Sequence, residues 1–86
     1  MYSIFFSSAA QKDAIKIQKS NLTTKCQKLI DIIAQDPFQN NPRYEKLVGD
    51  LKGFYSRRIN VQHRLVYEVD EVQKIIKILR MWTHYD

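Results

Sequence analysis

Residues 53–82 carry three strand-like runs, GFYSRRI, HRLVYEV and KIIKILRMW, separated by links of only three and four residues. Runs rich in β-branched and aromatic side chains and joined this tightly pair as antiparallel neighbours, because a parallel return needs a dozen residues or more. A three-stranded meander is therefore the expected framework of the second half. In its middle strand Leu65, Tyr67 and Val69 share one parity, while Arg64, Val66 and Glu68 share the other. The first set suits a covered core face and the second an open one. The last run is apolar on both parities, as an interior strand should be.

The first half supplies the cover. YSIFF, residues 2–6, reads as a short strand, and Ser7 or Ser8 offers an N-cap. Ala10, Ala14 and Ile17 then recur on one helical face. Ser20-Asn21 interrupts the pattern, and Leu22, Cys26, Leu29, Ile30 and Ile33 mark a stronger second helix that ends before Asp36-Pro37. So short a connection predicts an antiparallel helical hairpin. Residues 36–52 hold both prolines and one of the two glycines, and read as a connecting loop with room for one helical turn. The order is β-α-α-β-β-β. The expected class is α+β, with the hairpin packed on one face of a mostly antiparallel twisted sheet. The 86 residues are expected to form one domain, 1–86, and 44% hydrophobic content argues against disorder.

Fourteen Lys and Arg against nine Asp and Glu leave +5, which suits a phosphate-bearing or acidic partner as well as plain solubility. One cysteine rules out an intrachain disulfide. Cys26 lies on the apolar stripe, so a buried thiol is expected. Two histidines make poor material for a metal cluster, and no metal or other cofactor is expected. MYSIFF resembles neither a signal peptide nor a membrane span, which makes the cytoplasm the default location.

The stretch SRRINVQHR, residues 56–64, concentrates three arginines and a histidine. Guanidinium groups this close repel one another unless an anion sits among them. Ile59 should point inward, which sends Arg58 outward with Arg64 and leaves Arg57 undecided. Glu45 lies in the loop feeding the first arginine strand, and His84 and Tyr85 follow the last strand. A carboxylate, arginines and an imidazole suit metal-free RNA cleavage. Glu45 could take the ribose 2′-OH proton, Arg64 with Arg58 could offset phosphorane charge, and His84 could protonate the leaving 5′-oxygen. Tyr85 could stack on a base. A carboxylate beside guanidiniums is a weak base, so positioning must carry much of the rate. Plainer roles compete. A loop glutamate is usually solvated, His63 suits a structural hydrogen bond, and Trp82 suits packing. Lys12, Lys16, Lys19, Lys25 and Lys28 fit a solvated helical face or a contact with ribosomal RNA.

LKGFYSRRINVQHRLVYEV, followed by a His-Tyr pair near the chain end, resembles the YoeB/Txe branch of the RelE-type bacterial toxins. The detailed match runs from Pro42 onward. The resemblance implies a RelE-like microbial RNase fold and a ribosome-dependent mRNA endonuclease, the toxin of a toxin–antitoxin pair. Such toxins cut mRNA in the ribosomal A site without a metal, leaving a 2′,3′-cyclic phosphate. It places the general base on Glu45, the phosphate-stabilising arginine on Arg64 and the general acid on His84. Arg58 and Tyr85 are implied as further active-site residues, and Arg57 is added to the RNA-contacting set.

The implied partners are the ribosome with its mRNA and a cognate YefM/Axe-type antitoxin, acidic and partly disordered. Operator DNA would be met only through the antitoxin complex, and a homodimer is an open state. Three departures from the family pattern stand out. Tyr55 replaces a usual tryptophan, Trp82-Thr83 precedes the His-Tyr pair, and Asp86 adds negative charge beside the proposed acid. The rival functions are a ParE-like, non-catalytic inhibitor of DNA gyrase and a basic RNA-binding module on the same scaffold.

Overall fold

A computed structural model describes residues 1–82. Strand β1 (Ser3–Phe6) leads into helix α1 (Ser8–Gln18) and helix α2 (Thr23–Gln35). Strand β2 (Tyr44–Lys46) and a 3-10 turn (Gly49–Leu51) precede the meander of β3 (Phe54–Arg58), β4 (Arg64–Asp70) and β5 (Ile75–Arg80). The sheet order is β1-β5-β4-β3-β2, with β1 parallel to β5 and the other pairs antiparallel. The α+β class, the helical pair and the meander are as the sequence predicts.

Local chemistry explains most boundaries. Ser7 caps α1 by accepting the Ala10 N–H at 3.0 Å, while its own hydroxyl donates to the Leu79 carbonyl. The cap thus also ties the helix start to β5. Helix α2 stops at Asp36, ahead of Pro37. Asn60 Oδ1 accepts from the amides of Gln62 and His63, and Asp70 Oδ1 from those of Val72 and Gln73. Each Asx turn closes a link of the meander and fixes its register. Gly53 enters β3 at φ +96°, a conformation that side-chain-bearing residues avoid.

Ala10, Ile17, Cys26, Leu29 and Ile33 from the helices bury against Leu65, Tyr67, Ile76, Ile78 and Met81. The helices therefore cover one face, and Leu65 and Tyr67 point into it as their alternation requires. Val69 packs at its margin.

Three features depart from expectation. Residues 44–46 form an edge strand where a loop was expected. YEK is too short and too polar to announce itself, and it exists because β3 offers an unpaired edge that Tyr44, Glu45 and Lys46 fill. Val66, of open-face parity, is only 4% exposed, so that face is not bare at its centre. Finally, β5 carries one extra residue, Leu79, between the pairs Val66–Arg80 and Tyr67–Ile78. This bulge lets the strand end leave its alternation and turn toward α1. Among the described residues no helix is long and apolar enough to cross a membrane.

Candidate active site

The register of β2, β3 and β4 builds a cleft on the face away from the helices. Glu45 is opposite Ser56, Ser56 is opposite Val66, and Arg58 is directly opposite Arg64. All of these share one face, because the residues are paired or two apart along a strand. Pro42 and Arg43 complete the walls of a cleft of about 300 Å³ with Glu45, Ser56, Arg58 and Arg64. Arg64 Nη1 stands 3.5 Å from Glu45 Oε1, a loose contact between a carboxylate that is half exposed and a guanidinium that is one-fifth exposed.

Like charges directly opposed across a strand pair are destabilising. Three guanidinium groups and one carboxylate line this cleft, so its net charge is +2. The arrangement costs the free protein stability and would gain from an anion placed between Arg58 and Arg64. This accounts for the crowded SRRINVQHR stretch.

Arg57 does something else. The expectation that it contacts RNA is corrected, because its side chain lies on the helix-covered side and is 1% exposed. It shares parity with Ile59 rather than with Arg58, and the alternation of β3 carries it inward. Its Nε donates to Tyr67 Oη at 3.0 Å. Nη1 donates to the Pro42 carbonyl at 2.6 Å, and Nη2 to those of Pro37 and Gln39 at 3.0 and 2.7 Å. Tyr67 Oη in turn donates to the Pro37 carbonyl. One guanidinium thus pins the loop that delivers Glu45, and the planar fork is what allows so many carbonyls to be met at once. Burial raises the Tyr67 phenol, and the Arg57 hydrogen bond and charge offset part of that rise. Tyr55 packs against Phe38, Tyr44 and Tyr67 with ring centroids 5.3–5.9 Å apart, so its ring serves packing.

The model of the YoeB-like toxin of bacterial type II toxin–antitoxin systems matches residues 6–85. The chain belongs to this family. Toxin YoeB of Streptomyces coelicolor is 40% identical over 75 residues, covering 85% of this chain and 89% of that protein. Toxin in the YoeB–YefM complex from Staphylococcus aureus superposes with a TM-score of 0.83 at 38% identity, covering 99% of both chains. The YoeB dimer from the same organism gives 0.84 at 37% identity, covering 98% of both.

In this YoeB-like toxin a buried carboxylate, Asp13, anchors the end of β5, a role that no motif in the sequence announces. Asp13 is 1% exposed and sits on the inner face of α1. It accepts hydrogen bonds from Arg80 Nε at 2.8 Å, Arg80 Nη2 at 3.3 Å, and the amides of Met81 and Trp82 at 3.0 and 3.2 Å. Burial alone would raise the carboxyl, but the bonds from Arg80 and the two amides, with the Arg80 charge, hold it below its usual 3.8. Asp13 raises Arg80 in return, chiefly through their hydrogen bond. The clamp fixes where the chain leaves β5. Trp82 then stacks on His63, with centroids 3.8 Å apart and planes 21° from parallel. Trp82 takes the packing role expected of it, and His63, for which a structural hydrogen bond is the expectation, meets it by ring stacking. His84 and Tyr85 lie outside the described residues.

The thiol of Cys26 is buried and pushed up to about 11 by that burial, as a structural cysteine should be. Lys12, Lys16, Lys19, Lys25 and Lys28 are all exposed. A signal for Asp13 did exist in the sequence: an acidic residue one position from the Ala10/Ala14/Ile17 stripe, awaiting a cation from elsewhere.

Proposed function

We propose that this YoeB-like toxin is a ribosome-dependent mRNA endonuclease that cuts in the A site by metal-independent acid–base chemistry. The observation that carries the reading is the cleft itself, with Arg58 and Arg64 face to face and Glu45 at 3.5 Å from Arg64. A pure binder needs the arginines but has no use for a carboxylate among them.

Glu45 accepts the proton of the ribose 2′-OH, and that oxygen attacks the adjacent phosphorus. Arg64 and Arg58 hold the equatorial oxygens of the phosphorane as their charge grows. His84 gives a proton to the departing 5′-oxygen, so the products are a 2′,3′-cyclic phosphate and a 5′-hydroxyl. Tyr85 stacks on a base of the message. The exposed lysines of α1 and α2 give the toxin a basic back that meets ribosomal RNA phosphates. A YefM-type antitoxin silences the toxin by placing its own carboxylates in the arginine cleft, and operator DNA is reached through that complex.

The test is a translation reaction on pre-assembled ribosome complexes, with mRNA ends mapped by primer extension. Glu45→Ala, Arg64→Ala and His84→Ala should each slow cleavage by about 10²–10⁴-fold while leaving ribosome binding intact. Cleavage that survives all three substitutions, or gyrase inhibition with no mRNA ends, would overturn the reading.

A further inference from the structure

We propose that Ser56 is a further substrate-contacting residue, whose hydroxyl donates to a non-bridging oxygen of the phosphate held between Arg58 and Arg64. The inference rests on the nuclease reading and adds a donor to it.

Ser56 is fully buried, and its Oγ has no hydrogen-bond partner among the described residues. A buried hydroxyl without a partner is destabilising, a cost that alanine of the same backbone shape avoids. Packing therefore gives no reason for serine at this position. Its placement does. Ser56 forms the floor of the arginine cleft, directly opposite Glu45 on one side and Val66 on the other. Arg58 stands two residues along the same strand face, and Arg64 is the diagonal neighbour across β3 and β4. The hydroxyl is central among the groups that would surround a bound phosphate.

The groups that close over it are long and able to move. Glu45 is half exposed, Arg58 is exposed, and the Glu45–Arg64 contact is loose at 3.5 Å. A phosphate that draws Arg64 and Arg58 to itself opens this cover and meets the waiting donor. A neutral O–H also suits a site already carrying net positive charge, since it adds a bond without adding repulsion. The free enzyme stores the unmet hydrogen bond, and the transition state, richer in oxygen charge than the substrate, recovers it.

The experiment compares wild type, Ser56→Ala and Arg64→Ala in the primer-extension assay and by thermal unfolding. Ser56→Ala should cut mRNA about 10–100-fold more slowly, the worth of one hydrogen bond to a charged group, with ribosome binding unchanged. The same variant should melt about 4–8 °C higher, because removing an unsatisfied hydroxyl stabilises the free protein. A serine that served only structure would lose stability on substitution, so opposite signs in the two assays identify the proposed role. Unchanged cleavage by Ser56→Ala alongside an inactive Arg64→Ala would sink the Ser56 assignment alone. A wild type that makes no cuts, or an Arg64→Ala that cuts normally, would instead remove the nuclease reading beneath it.

Discussion

Replacing Asp13 with alanine tests how much of the fold hangs on a single buried carboxylate. Four hydrogen bonds end on it, two from Arg80 and one each from the amides of Met81 and Trp82. Without it the two amides lose their acceptor, and each orphaned donor costs about 1–3 kcal/mol. The Arg80 guanidinium is 47% exposed and rehydrates, so its share is at most about 1 kcal/mol. The sum is roughly 2–7 kcal/mol, against a total stability of about 4–13 kcal/mol for a chain of this length. In urea the unfolding midpoint should fall by about 1 M or more. The pH dependence has a definite sign. Because the folded carboxyl is held below its usual 3.8, the unfolded chain takes up the proton first as the solution is acidified. The stabilisation is complete above about pH 4 and is lost as pH falls through the folded value. The stability gap between wild type and Asp13→Asn should therefore be flat from about pH 5 to 7 and close below about pH 4. An Asp13→Ala protein within about 1 kcal/mol of wild type, or a gap that widens in acid, would refute the accounting.

Two other substitutions probe the interior. Arg57→Met keeps the stem but strands the carbonyls of Gln39 and Pro42, while Pro37 keeps the bond from Tyr67, and should cost about 2–4 kcal/mol after partial rehydration of the loop. Amide exchange in residues 36–43 should quicken, and Arg57→Lys should recover little, since one ammonium cannot span three carbonyls; exchange measured by mass spectrometry decides both points. Cys26, with its thiol at about 11, should react with a disulfide reagent at pH 8 about 100-fold more slowly than a free cysteine, and at the free rate once urea unfolds the chain. Fast labelling of the native protein would show that the core around α2 opens readily.

Much of this architecture follows from short-range pattern. The helical stripes of Ala10/Ile17 and Cys26/Leu29/Ile33 and the alternation of Leu65 and Tyr67 are set by backbone periodicity, which any stretch of chain carries within itself. The same alternation sends Arg58 and Arg64 to one face, so the anion-seeking half of the cleft is legible from residues 56–64 alone. The place of Glu45 in the chain suggests its role but not the strand that presents it, because YEK becomes a strand only against the free edge of β3.

The remaining decisions belong to tertiary structure. Arg57 and Arg58 are identical in composition, yet one pins a loop and the other faces solvent. What separates them is the set of carbonyls that folding brings to the covered side. Asp13 finds its partners 67–69 residues away. Ser56 acquires its unmet hydroxyl only when β2 and β4 close on both sides of it. Periodicity tells a side chain which way to point; whether it meets a donor, an acceptor or nothing depends on segments distant in sequence, and those meetings make the site.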